Sequence, residues 1–232
     1  KLTPDDIYHL SKLAIMEYLT SGITANADMY LTPDTMIQAS EDCGFRTTVI
    51  GAVNDFTQSV KEVENWYEKY HKEDGLTSYE LGFHAEYTTK REILEGISEL
   101  SKKYHAPIYT HNSESASEVA QCVERTGMTP TVYMEQLGLF EYGGGLYHCV
   151  HMSEEDLDVV KRHQISVITN PASNLKLASG IAPIEEMLKR NIDLAIGTDG
   201  PASNNCLDMF REMFLVTALA KYRENDASAV DA

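Results

Sequence analysis

Three short stretches of this chain carry side chains whose types and spacing suit hydrolytic chemistry. In His111-Asn112-Ser113-Glu114 an imidazole is followed three residues later by a carboxylate. An imidazole nitrogen can ligate a metal, and a nearby carboxylate can take a proton from activated water and pass it to a leaving group. Alone, His-x-x-Glu is a short motif that ordinary surfaces also produce. In Tyr147-His148-Cys149-Val150-His151, alternation along a strand sends His148 and Val150 to one face and Cys149 and His151 to the other. The two histidines are therefore no chelating pair. His148 is the working candidate, and His151 reads as a structural hydrogen-bonding residue near the helix start at Ser153-Glu154-Glu155. The strongest stretch is Gly197-Thr198-Asp199-Gly200, where Asp199 ends the apolar run Leu194-Ala195-Ile196. A carboxylate there is costly to bury unless it is paired or bound to a metal. The bland alternative, a cap for the next helix, is better met by Ser203, Asn204 and Asn205. His84, ending Leu81-Gly82-Phe83, reads equally as a core histidine or a substrate contact. His9, His71, His105 and His163 lie among charges on helices or their ends and read as solvated surface.

The elements that must position these groups alternate along the whole chain. Thr3-Pro4-Asp5-Asp6 supplies an N-cap and a first-position proline for a helix over residues 7–19, with Ile7, Leu10, Leu13 and Ala14 on one face. Further helices are expected over 33–43, 59–70, 90–104, 115–126, 154–163, 184–189 and 208–222. Between them lie strand patterns at 23–30, 46–53, 79–84, 107–111, 145–151, 166–169 and 193–199, several rich in β-branched residues. Seven strands interleaved with helices call for a parallel sheet with right-handed crossovers. A doubly wound sheet satisfies that pattern too. The barrel is favoured because His84, His111, His148 and Asp199 all end strands, and the strand ends of a (β/α)8 barrel converge on one mouth. Seven strands, with a helix leading, imply that the first is missing.

Length and composition agree with one domain over 1–232. The chain has 232 residues, 43% apolar and 24% charged, near the roughly 250 of one α/β barrel and ordinary for a globular protein. The net charge of −17 repels phosphate backbones and argues against nucleic acid. Much of that acid lies on helical stretches such as 61–69 and reads as a solvated face. Four scattered cysteines without a Cys-x-x-Cys pair read as reduced thiols in the cytoplasm. No apolar run approaches the roughly 18 residues of a membrane span.

The run Thr169-Asn170-Pro171-Ala172-Ser173-Asn174-Leu175-Lys176-Leu177-Ala178-Ser179-Gly180-Ile181-Ala182-Pro183, followed by Gly197-Thr198-Asp199-Gly200 and Ala202-Ser203-Asn204-Asn205, closely resembles the amidohydrolase superfamily. Within it the likeness is to S-adenosylhomocysteine and methylthioadenosine deaminases, with guanine deaminases and chlorohydrolases as neighbours. It covers nearly the whole chain. The resemblance implies a distorted TIM-like (β/α)8 barrel flanked by a small β-sandwich. It also implies one divalent metal, zinc or iron, in the barrel mouth. His111 matches the fifth-strand metal ligand, and Asp199 the eighth-strand residue that binds metal and orients the nucleophilic water. Glu114 matches the proton shuttle of deaminating members. His148 matches the sixth-strand histidine near metal, water and substrate, and His84 a substrate-contacting histidine. The family's first-strand His-x-His pair occurs nowhere in the sequence. The expectation is a chain truncated at both ends, lacking the first strand and the sandwich and inactive by itself. Thr169 stands where many relatives carry a more polar residue or histidine.

The implied reaction is hydrolytic deamination of an aminated heterocycle, an adenosine-type nucleoside or a nucleobase, in a small-molecule enzyme that a homo-oligomer would also accommodate. Two rivals stand beside it. One is a hydrolase of another C–N or C–Cl bond on the same scaffold, since fold does not decide chemistry. The other is a metal-free binding or structural module.

Overall fold

The computed structural model describes residues 2–230. Thr3 opens α1 (Pro4–Thr20) with a capping box, its hydroxyl accepting the Asp6 N–H while the Asp6 carboxylate accepts the Thr3 N–H, and Pro4 stands where no N–H is needed. After Gly22 comes β1 (Ala25–Met29), then α2 (Pro33–Cys43), which Gly44 ends at φ 65°. The alternation continues with β2 (Arg46–Ile50), α3 (Val60–Tyr70), β3 (Thr77–Ala85), α4 (Arg91–Tyr104), β4 (Ile108–Asn112) and α5 (Ala116–Thr126). It closes with α6 (Pro130–Gln136), β5 (Gly144–His148), α7 (Glu154–Arg162), β6 (Ser166–Thr169), α8 (Pro171–Lys176), α9 (Ile184–Lys189), β7 (Leu194–Ile196), α10 (Pro201–Asn204) and α11 (Met209–Glu224).

The seven strands form one sheet in chain order, every neighbouring pair parallel. This is the TIM-like alternating arrangement expected from the sequence, with seven parallel strands in place of the eight of a complete barrel. Among the described residues β1 and β7 do not pair, so the strands curl into an arc that is open between β1 and β7. The two ends approach through helices instead, where Ser21 Oγ donates to the Leu207 carbonyl (2.6 Å) and Leu207 N–H to Glu17 (2.8 Å). Val49, Leu81, Phe83, Ile108, Leu146 and Val167 from the strands bury completely against Val63, Leu94, Ile97, Val159 and Val160 from the helices. A buried leucine or valine of this kind is worth about 1.5–3 kcal/mol, so this layer holds the strand ends in place. Gly144, at φ 138°, has room for no Cβ, which would fall 1.8 Å from the Ile108 carbonyl oxygen. No helix among the described residues is long and apolar enough to cross a membrane.

Several boundaries depart from the sequence expectation. Strand β5 stops at His148, not at residue 151, because His148 and Cys149 adopt left-handed φ of 70° and 48°, which turn the chain out of its extended path. The alternation expected across 148–151 therefore does not exist, and His148, Cys149 and Val150 are all buried. Strand β7 ends at Ile196 for a related reason, with Asp199 at φ 57° in the following loop. On α1 the buried residues are Ile7 and Ile15, whereas Leu10, Leu13, Met16 and Leu19 lie exposed, since α1 packs on α2 through its other side. His71 and His163 are not free surface groups. They lie 3.3 Å from Glu80 and 2.8 Å from Glu135.

Candidate active site at the strand ends

His111 lies near the end of β4, and its ring Nδ1 is 2.8 Å from the His84 carbonyl oxygen on β3. With that carbonyl as partner, Nδ1 carries the proton and Nε2 keeps its lone pair. Burial first, then the neighbouring imidazoles of His148 and His84, push the His111 pKa down to about 3. At neutral pH the ring is uncharged and can act as a ligand. His148, buried at the end of β5, follows the same plan: Nδ1 is 2.8 Å from Asn174 Oδ1, which accepts its proton. Its Nε2 then faces the Glu114 carboxylate at 3.8 Å. The rings of His111 and His148 stack with centroids 5.4 Å apart, and His84 and His111 lie 5.0 Å apart. His84 donates or accepts at Thr88 Oγ1 (2.8 Å), and burial lowers its pKa.

Glu114 sits on a turn that the buried Glu118 carboxylate ties down by accepting the N–H groups of Ser113, Glu114 and Ser115 at 2.9, 3.0 and 3.3 Å. Glu118 and Ser115 also form the capping box of α5, so the start of one helix fixes the carboxylate's position. Arg125 in α5 in turn grips the buried Glu86 after β3, at 2.6 and 2.8 Å. Asp199 accepts hydrogen bonds from Ser173 Oγ (2.5 Å) and the Gly200 N–H (2.6 Å). Burial works to raise its pKa, but hydrogen bonds from Ser173, Ser203 and Gly200 and the nearby His148 outweigh it and hold the carboxyl below its usual range. Asn170 packs where a Cβ on Gly197 would stand 2.3 Å from its Oδ1, which explains the glycine before Thr198-Asp199. Ser113, His148, Cys149 and Asp199 all have left-handed φ, from 48° to 70°. Such backbone strain concentrated at one rim is characteristic of functional sites.

The structure thus brings His84, His111, Glu114, His148 and Asp199 to one rim. It does not close them into a cage: among the described residues no three His, Cys, Asp or Glu side chains converge closely enough to hold an ion. The rings of His111 and His148 lie nearly parallel, 26° apart. The donor chemistry nevertheless fits a divalent metal. Two imidazoles with Nδ1 secured and a carboxylate held below its usual range are ligands that zinc or iron accepts.

Sequence reasoning missed Asp28, Ser173, Asn174 and Ser179. Asp28, on β1, has its pKa raised to about 6 by burial and then by the Asp199 charge. Its signal was available, for it is a carboxylate near a strand end like Asp199. The other three lie on or just after the short α8, and their partners are 26, 26 and 65 residues away along the chain, beyond the reach of local spacing. His151 keeps the structural role expected, its Nε2 donating to the Ser179 carbonyl at 2.7 Å.

Comparison with known proteins adds an independent line. A model of the amidohydrolase family matches residues 2–232. The 5-methylthioadenosine/S-adenosylhomocysteine deaminase of Caldanaerobacter subterraneus is 39% identical over 241 residues, covering 100% of this chain and 55% of that protein. A 5'-deoxyadenosine deaminase of Methanococcus maripaludis is 36% identical over 221 residues, covering 92% and 52%. The chain therefore spans about half the length of the curated relatives it matches. Among solved structures, an adenosine deaminase from Xanthomonas campestris with bound zinc superposes at a TM-score of 0.94 with 32% identity, over 100% of this chain and 54% of that one. The zinc complex of atrazine chlorohydrolase TrzN from Arthrobacter aurescens superposes at 0.89 with 23% identity, over 97% and 55%, a likeness of fold alone. Strand-end chemistry, topology and a match along the whole described chain converge on one assignment: the chain belongs to the amidohydrolase family.

Proposed function

We propose that the protein carrying this chain is a metal-dependent hydrolytic deaminase of an aminated heterocycle, with an adenosine-type nucleoside such as S-adenosylhomocysteine or methylthioadenosine as substrate. The observation that carries this reading is the Glu114 carboxylate held on a helix-start turn 3.8 Å from His148 Nε2. It occupies the same rim as Asp199, which accepts hydrogen bonds from Ser173 and Gly200. His111, His148 and Asp199 are the residues that would hold the divalent cation, zinc by analogy with the zinc-bound adenosine deaminase and iron as the alternative. A cation bound there supplies Lewis acidity that makes water nucleophilic near neutral pH.

Each residue then has a defined task. Asp199, ionised, accepts a hydrogen bond from the attacking water and orients it. Glu114 takes one proton from the water and delivers it to the ring nitrogen as the C–O bond forms. The proton left on the new hydroxyl then passes through the carboxylates to the amine, which departs as ammonia as the C–N bond breaks and the carbonyl forms. This sequence requires a carboxylate free to change protonation. His84 and His148 flank the heterocycle. The four cysteines are unpaired among the described residues, in keeping with the cytoplasmic location that the sequence suggests.

The test is ammonia release by the complete zinc-loaded protein from a panel of adenosine-type nucleosides, nucleobases and triazines. Ammonia from at least one nucleoside, lost in Asp199→Asn, is the expected result. Chloride release from a chlorinated triazine with no ammonia from any nucleoside or base would overturn the assignment.

A further inference from the structure

The residues from 173 to 179 touch three of the candidate groups at once. Ser173 Oγ donates to Asp199 (2.5 Å), Asn174 Oδ1 accepts from His148 Nδ1 (2.8 Å), and Ser179 Oγ donates to Glu114 Oε1 (3.2 Å). All three side chains are buried. The segment that presents them is itself tied on several sides. The Ala172 N–H donates to the fully buried Glu212 at 3.0 Å, and Lys176 Nζ to the Ala202 carbonyl at 2.7 Å. The Ser179 N–H returns to the Asn174 carbonyl at 2.8 Å, and the Ser179 carbonyl accepts from His151 Nε2 at 2.7 Å. The Ser179 backbone is thus fixed at both its N–H and its carbonyl, which keeps its hydroxyl within reach of Glu114.

We infer that Ser179 is a positioning residue for Glu114. Its hydroxyl holds one carboxylate oxygen so that the other faces the His148 side of the rim. Glu114 has neighbours on its backbone, where Glu118 secures the turn, but Ser179 is the hydrogen-bond donor that reaches its carboxylate among the described residues. Without it, the carboxylate can rotate about its terminal torsion, which is broad and nearly free. A proton carrier that samples several orientations spends less time in the productive one. Ser179 touches neither substrate nor cation in this scheme and acts only through Glu114. The inference rests on the deaminase reading for its kinetic consequence, while its geometric content stands apart from it.

The experiment uses the complete metal-loaded protein and compares wild type with Ser179→Ala and Ser179→Thr, with Ser179→Cys in reserve as a size-matched weak donor should the alanine variant fail to fold. In Ser179→Ala, kcat for ammonia release falls about tenfold, the scale of a hydrogen bond to a charged group. KM stays within about twofold and Tm is unchanged. Ser179→Thr, which keeps the hydroxyl, recovers most of kcat. Crystal structures of wild type and Ser179→Ala supply a readout independent of turnover, the Glu114 carboxylate leaving its approach to His148 Nε2 in the variant. Wild-type kcat in Ser179→Ala, or equal losses of kcat and Tm in the alanine and threonine variants, overturns the inference. If wild type releases no ammonia while the carboxylate still moves in Ser179→Ala, the deaminase reading falls and the positioning role survives.

Discussion

On the proposed deaminase reading, Glu114→Gln isolates proton transfer from the structural contacts of Glu114. The amide matches the carboxylate in shape, and its oxygen can still accept from Ser179, 3.2 Å away in the present arrangement. The backbone contacts to Glu118 that hold the turn do not involve the side chain at all. What disappears is the capacity to take up and release a proton. General acid–base catalysis by one positioned group contributes about 10²- to 10⁴-fold, or roughly 3 to 5 kcal/mol of barrier. The glutamine variant should therefore lose kcat by that factor with KM nearly unchanged, the pattern of an interaction used in the transition state. Only 19% of the Glu114 side chain is exposed, but glutamine keeps its shape and its bond to Ser179, so folding stability should move by no more than about 1 kcal/mol. Steady-state ammonia release and thermal melts of the zinc-loaded full-length protein make the comparison. A glutamine variant within threefold of wild-type kcat would refute the shuttle role, and a large drop in Tm would refute the claim that Glu118, not Glu114, fixes the turn.

Other perturbations probe the surrounding structure. Asp199→Asn should abolish turnover and lower the bound metal measured by elemental analysis, while circular dichroism stays that of wild type. Glu212, fully buried, accepts from the Ala172 N–H and from Asn204 Nδ2 (2.9 Å), so Glu212→Ala should cost about 3 kcal/mol in urea unfolding by stranding those donors. Asp28 carries the pH signature. A carboxyl whose folded pKa is raised to about 6 contributes stability below its unfolded value near 4, and that contribution is lost as pH rises through 6. In the metal-free protein Asp28→Asn should thus gain about 2 kcal/mol over wild type at pH 7, allowing for partial solvent screening, and almost nothing at pH 4. Equal gains at both pH values would show that Asp28 is not the titrating group.

The amino-acid order alone carries the βα alternation, the caps of α1, α5 and α7, and the placement of His84, His111, His148 and Asp199 at or beside strand ends. Those are local matters: a cap reads three residues ahead, and strand and helix periods repeat within a few residues. It also carries Glu114 as a candidate, because that carboxylate lies three residues after His111. Where β5 and β7 stop was not legible, since the left-handed φ at His148, Cys149 and Asp199 is imposed by neighbours and not by residue type. Nor was the outward turn of Leu10 and Leu13, because an apolar stripe on α1 does not say which of its sides α2 will cover. The partners of the chemistry belonged wholly to tertiary structure. Asn174 meets His148, Ser173 meets Asp199, and Ser179 meets Glu114 across 26, 26 and 65 residues. No periodicity links such positions; only a curled parallel sheet, by bringing successive strand ends to one rim, puts a donor from one loop within reach of an acceptor from another.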